Sequence, residues 1–301
     1  MSIKAEDGKT FVHSRGSSTA TTMYESASTS KMISAAIILD HVKKMNLSLD
    51  DNPQDHIGTW PITGNLAAIT LHDLLSFTSG LTEAPLCLST GFSNIDYCVD
   101  KIAEDNNESL ALGLEFYYGP DHLQVAGQMA IQASGESDWA SLFATYQSET
   151  GLFSHSTYDL PSASNPRLAG GMHWNAEEYL AFLEKLYKTE ILTPQLITLM
   201  TTDQRAAALS TNSPAIDVMG EDWHYGFGVW IESESNPYDP AKLIGRVSSP
   251  GLYGAYPFID FTHKYYGILA RQGSLTSFTK GYELFSLVAP KLETWATTTC
   301  E

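Results

Sequence analysis

The chain has 301 residues, 43% of them apolar and 11% aromatic, which suits one large domain or two interleaved ones rather than a string of modules. Its 17 basic side chains stand against 35 acidic ones, and a formal net charge of -18 repels phosphates, which argues against nucleic acid or an anionic membrane as a partner. No run approaches the roughly 18 apolar residues of a membrane span. Met1-Ser2-Ile3-Lys4-Ala5-Glu6-Asp7 has no apolar leader core, so the chain as given reads as cytoplasmic, or as periplasmic or secreted once a leader has been removed.

Residues 3–15 alternate around Asp7-Gly8-Lys9, which predicts a hairpin. A stretch rich in Ser and Thr follows, from Ser17 to Thr22, and then a helix opening near Ser28. Met32, Ala35, Ala36, Ile37, Leu39 and Val42 cover most of that helix's circumference, and a helix apolar nearly all round is a buried one. It ends in Lys43-Lys44, cations suited to a C-terminus.

From about 65 to 200 the period is helical, over Leu71 to Phe77, Ile95 to Ile102, Leu123 to Ala133 and Ala176 to Tyr187. Cys87 and Cys98 bracket a loop holding Ser89, Gly91, Ser93 and Asn94; a disulfide and two free thiols are both open readings. With Cys300 they make no CxxC pair, and no His cluster has ligand spacing, so no zinc site is expected.

After about 222 the period becomes that of strands, over Tyr225–Trp230, Gly254–Asp260 and Tyr265–Ala270, the last two joined across Phe261-Thr262-His263-Lys264. A helix from about Leu284 to Trp295 closes the chain. Hairpin and helix first, helices in the middle, strands and helix last predict an α/β (α+β) architecture. Residues 1–60 and 200–301 would form a discontinuous α/β domain and 61–199 an inserted helical one, with the active site between them.

A serine hydroxyl needs a base within hydrogen-bond reach to become a nucleophile. Ser28-Thr29-Ser30-Lys31 offers one, because residues i and i+3 of a helix share a face. Burial and the positive end of a helix both lower a lysine's pKa, so a neutral Lys31 could take the Ser28 proton. The plainer alternative makes Ser28 a helix cap and Lys31 a solvated first-turn residue. Against it, a cation there opposes the helix dipole, and a solvent-facing lysine sits oddly beside so apolar a helix.

Tyr24-Glu25-Ser26-Ala27-Ser28-Thr29-Ser30-Lys31, then Leu47-Ser48-Leu49-Asp50-Asp51 and Pro53, resembles the first-helix signature of the β-lactamase-related serine hydrolases. These include class C β-lactamases, DD-carboxypeptidases (penicillin-binding proteins) and family VIII carboxylesterases. Ile69 to Leu81 resembles the family's segment ending in His-Thr-Ser-Gly-Leu, with Phe77 where His is usual. Gly113-Leu114-Glu115-Phe116-Tyr117-Tyr118-Gly119-Pro120 stands where the family carries Tyr-x-Asn. Tyr118 aligns with the tyrosine, Tyr117 competes if the register slips by one, and Pro120 replaces Asn. Ser249-Pro250-Gly251-Leu252-Tyr253-Gly254 is similar to the third motif in a form that lacks the basic residue. Asn165 to Met172 and Tyr225 to Trp230 also look like the family, and the likeness runs from about Thr10 to Leu284.

The resemblance implies a β-lactamase-like fold, an antiparallel sheet flanked by helices with a mostly helical insertion. It implies Ser28, Lys31 and Tyr118 as catalytic residues, the amides of Ser28 and Leu252 as the oxyanion hole, and Ser249, Gly251 and Tyr253 as substrate contacts. His122, close to Tyr118 in sequence, is a further candidate substrate contact, with a structural histidine as the alternative. It implies no metal or organic cofactor. The family's Asn contacts a substrate amide carbonyl and its third-motif cation attracts a substrate carboxylate. Their absence here shifts the expected small-molecule substrate toward an ester, with a β-lactam, D-amino-acid amide or DD-peptide as the alternative. A catalytically silent binding homologue is the rival of another class. Arg271, near the last expected strand's end, reads as an exposed strand-end residue or as a cation for a substrate carboxylate.

Overall fold

The computed structural model describes residues 1–106, 112–205, 207–235, 237–275 and 277–298, and Cys300 lies outside them. The first elements are β1 (Ser2–Ala5), β2 (Thr10–Val12), β3 (Tyr24–Glu25) and α1 (Ser30–Lys43). The middle of the chain holds α2 (Leu71–Ser76), α3 (Ile95–Asp105), β4 (Glu115–Tyr117), α4 (Asp121–Ser134) and α5 (Trp139–Thr150). Then follow β5 (Thr157–Tyr158), β6 (Met172–Trp174), α6 (Ala176–Tyr187), α7 (Pro194–Thr201) and β7 (Leu209–Asn212). The chain closes with β8 (His224–Tyr225), β9 (Trp230–Ser233), β10 (Leu243–Ser248), β11 (Tyr256–Asp260), β12 (Tyr265–Leu269) and α8 (Thr279–Thr297).

As the resemblance leads one to expect, helices surround an antiparallel sheet drawn from both ends of the chain. Its order is β2-β1-β12-β11-β10-β9-β8, and β1 pairs with β12 from Ser2 opposite Ile268 to Ala5 opposite Tyr265. The hairpin at Asp7-Gly8-Lys9 forms as predicted, with Gly8 at φ +90°, a conformation that glycine adopts at little cost. α1 is buried from Ser30 to His41, as its all-round apolar surface predicts. α6 places Tyr179, Phe182, Leu183 and Leu186 inward and packs on β1, β11 and β12, so the middle of the chain supplies one layer over the sheet.

Local chemistry sets several helix boundaries. Thr70 and Asp73 cap α2 reciprocally, each side chain accepting the other's backbone N–H. Asn175 caps α6, whose first turn carries Glu177 and Glu178 where the helix dipole favours anions. Cys87 and Cys98 are joined in a disulfide. No helix among the described residues is long and apolar enough to cross a membrane.

Three stretches differ from expectation. Tyr225–Trp230 is a tight hairpin rather than one strand: β8 ends, the Gly226 N–H donates to the Val229 carbonyl at 2.9 Å, and β9 begins. Gly228 has φ +72°, and a Cβ there would lie 2.7 Å from the Lys31 carbonyl, so this turn sits directly on α1. β10 carries no clear apolar alternation because Gly245 and a buried Arg246 interrupt it. α8 starts at Thr279, ahead of the apolar periodicity that marks its core-facing side.

Candidate active site

Ser28 lies in a 3-10 turn, Ala27–Thr29, that feeds into α1. Three residues per turn place i and i+3 in line, which brings the Lys31 Nζ to 3.0 Å from the Ser28 Oγ. Ala27 before it has φ +46°, a strained setting for a residue with a Cβ and one that recurs at functional sites. The turn is clamped from outside it. Tyr179 donates its hydroxyl to the Thr29 carbonyl at 2.8 Å, the Trp174 indole donates to the Thr29 Oγ1 at 2.8 Å, and the Ser26 and Ser30 hydroxyls bond each other.

Lys31 is 4% exposed, and its second partner is the Ala169 carbonyl at 2.9 Å. No carboxylate among the described residues pairs with it. Burial in this uncompensated place pushes its pKa down to about 7, and the Arg167 charge pushes the same way. A buried lysine that is substantially neutral near pH 7 can accept a proton.

Tyr118 follows β4, which runs parallel to β7; its N–H donates to the Asn212 carbonyl and its own carbonyl accepts from the Asn212 Nδ2, both at 2.9 Å. Its ring stacks on Trp230 with centroids 5.0 Å apart, and the Lys31 Nζ lies over the same ring, 4.5 Å from its centre. Burial raises the phenol to about 12, against polar contacts with Ser28 and Trp230 that act to lower it. Tyr118 is therefore a protonated phenol beside the Ser28 hydroxyl. Tyr117 turns its ring toward Gly119, where a Cβ would come within 3.2 Å of it.

The third segment closes over the Ser28 turn. Ser249 is buried and its hydroxyl donates to the Ser28 carbonyl at 3.0 Å, so it supports the Ser28 turn from behind. A Cβ on Gly251 would lie 2.7 Å from the Ser26 carbonyl, and only glycine allows this approach. Leu252 is 43% exposed, and Tyr253, half-buried, interacts with Glu25. No backbone carbonyl among the described residues accepts the N–H of Ser28 or of Leu252.

His122 is not open to a substrate. It is fully buried and stacked on Phe77 at 4.6 Å, with Nδ1 bonded to the Ser79 hydroxyl and Nε2 to the Tyr117 carbonyl, both at 2.8 Å. Burial holds its pKa down to about 4, so the ring is neutral and serves packing. The expected substrate contact at His122 is replaced by a support for the segment that carries Tyr118.

Two groups near Lys31 escape a motif reading. The Ala169 carbonyl and Arg167 both lie in the Asn165–Met172 segment, which looks like the family without naming a role. Arg167 is held on the disulfide-closed loop, its Nε donating to the Leu88 carbonyl at 2.6 Å and its Nη2 to the Ser89 hydroxyl at 2.7 Å. Trp230, under Tyr118, lies in the Tyr225–Trp230 stretch, which likewise looks like the family without naming a role.

Comparison with known proteins bears on the family and the fold. The family model described as Beta-lactamase matches residues 4–274. A putative beta-lactamase from Bacteroides dorei DSM 17855 is 26% identical, with TM-score 0.79 over 97% of this chain and 92% of that one. EstCE1, a hydrolase with promiscuous acyltransferase activity, is 18% identical, with TM-score 0.70 over 93% of this chain and 86% of that one. D-amino acid amidase from Ochrobactrum anthropi SV3 is 15% identical, with TM-score 0.69 over 96% and 94%. No curated protein matches the chain.

Proposed function

The chain belongs to the Beta-lactamase family, whose members are serine hydrolases, and within it we propose that this protein hydrolyses small carboxylic esters through an acyl-enzyme on Ser28. The observation that carries the reading is the 3.0 Å approach of the buried Lys31 Nζ to the Ser28 Oγ. Neutral Lys31 takes the Ser28 proton as Oγ attacks the ester carbonyl. The N–H groups of Ser28 and Leu252 stabilise the oxyanion, a contribution of about 3–4 kcal/mol for a well-placed donor. As the tetrahedral adduct collapses, the alkoxide leaves with a proton relayed from Lys31 through Tyr118. Water then adds to the acyl-enzyme, gives its proton back along the same groups, and releases the carboxylic acid and free Ser28.

Preference for esters rests on what surrounds these groups. Pro120 has no side-chain amide to hold a substrate amide, and Ser249 is neutral and turned toward the Ser28 carbonyl. A second reading, an amide or β-lactam acyl donor, draws support from the fold shared with the D-amino acid amidase.

The test compares p-nitrophenyl butyrate, nitrocefin and a D-Ala-D-Ala peptide, with a fluorophosphonate probe to label the nucleophile. The ester reading expects labelling at Ser28, loss of both labelling and turnover in Ser28→Ala, and fastest acylation by the butyrate. Faster turnover of nitrocefin would move the assignment to β-lactams. Absence of labelling would mean a silent binding homologue.

A further inference from the structure

A cavity of 880 Å³ is walled by the loop after β2, the ends of β3 and β12, and the outer side of α8. Its volume falls in the range of small-molecule sites, about 300–1,000 Å³. Ser28, Lys31, Tyr118 and Leu252 do not line it, so it is separate from the hydrolytic site.

Its charge runs against the rest of the molecule. The chain has about twice as many acidic as basic side chains, 35 against 17, yet Arg15, Arg271 and Lys280 line this one cavity, beside His13, which is counted as neutral, and no Asp or Glu does. None of the four makes an ion pair with a carboxylate among the described residues. Gathering like charges without counter-charge is unfavourable, and in so acidic a chain the missing anion is best supplied by a ligand. Arg271 is partly buried and lies close over Gly254, its Nη1 3.0 Å from where a Cβ on that glycine would stand. The other walls are apolar, and two of their side chains, Phe11 at 41% and Leu284 at 44% exposure, are left open to the cavity and solvent. Leu269 and Val288 continue that surface.

We propose that this cavity binds a medium-chain carboxylate, its head paired with Arg271, Arg15 and Lys280 and its hydrocarbon chain laid along Phe11, Leu269 and Leu284. The same chemistry could be presented by an anionic lipid surface, but the net charge of -18 opposes approach to one, so the ligand is the free monomer. The segment that bears Arg271 also touches the hydrolytic site. The Gln272 side chain accepts the Glu25 N–H at 3.0 Å, and the Gly273 N–H donates to the Tyr253 carbonyl at 2.8 Å.

Calorimetric titration of the Ser28→Ala protein and the unmodified protein with decanoate tests this. One site of equal affinity is expected in both, because the nucleophile takes no part. Arg15→Gln combined with Lys280→Gln, both on exposed surface, should weaken decanoate by roughly tenfold or more, as loss of two charge pairs implies. Arg271→Lys should bind within about threefold of the unmodified protein and Arg271→Gln at least tenfold more weakly, a contrast that separates charge from packing. Decyltrimethylammonium should not compete. No binding of decanoate, equal binding of the cationic amphiphile, or an unchanged affinity in the double variant overturns the proposal. So does retention of the protein on phosphatidylglycerol vesicles, which would assign the cations to a lipid surface.

Discussion

Lys31 changes charge close to neutrality because it is buried beside a hydroxyl and a carbonyl with no anion to hold its proton. The neutral form is the base, so kcat/KM for an ester should rise with pH through about 7 and level off above it. Lys31→Met should remove that limb and lower kcat/KM by about 10²–10⁴-fold. A flat profile from pH 5 to 9 would contradict Lys31 as the base. Asp121 shows the opposite shift: both carboxylate oxygens are buried without a partner, and burial raises its pKa from 3.8 to about 7. A carboxyl raised in this way binds its proton more tightly when folded. Its contribution is therefore complete below its ordinary pKa and is lost as pH climbs toward 7. Asp121→Asn should then leave stability at pH 4 nearly unchanged and raise it at pH 8, with about 4 kcal/mol as the upper bound, measured by urea unfolding. Sequence marks Ser28, Lys31 and Tyr118 because each sits in a motif with fixed neighbours. It does not mark the Ala169 carbonyl, Arg167 or the isolation of Asp121, which depend on segments that meet only in the fold.

Among the elements, β10 carries a charged network on its buried side. Arg246 is 5% exposed and reaches Glu232 on β9 at 3.3 Å, Asp260 on β11 at 3.0 Å and Glu293 on α8 at 2.6 Å. The network ties three neighbouring strands to the closing helix. Arg246→Met should cost about 3–5 kcal/mol by leaving Glu232 and Asp260 buried without a cation. Replacing all four charged groups together by apolar residues should recover much of that loss, and an unaltered midpoint in the single variant would show the network contributes nothing. The same network explains why β10 does not read as a strand, since a charge at an inward position breaks the alternation that signals one. Elements with a clean apolar period, such as α4 and α6, are legible to within a few residues. The hairpin at Gly226–Val229 is not, because its form depends on where α1 lies.

At the scale of the molecule, the net charge of -18 is a repulsive load spread over the surface. Salt shortens the screening distance from about 30 Å at 0.01 M to about 10 Å at 0.1 M, and exposed charges beyond it cease to interact. The melting temperature should therefore rise between 10 mM and 500 mM NaCl, by several degrees for a load of this size. A fall over that range would mean that attractive surface pairs outweigh the repulsion. The sheet itself joins residues 2–5 to residues 265–268. On a ribosome the opening strand must therefore wait, unpaired on that side, until nearly the whole chain has emerged. The turn at Ser249–Leu252 that closes over Ser28 is made equally late. If Ser28 acts as proposed, a nascent chain would carry that serine and Lys31 long before the segment that closes over them. In refolding from urea, fluorophosphonate labelling of Ser28 should return together with the sheet and never ahead of it.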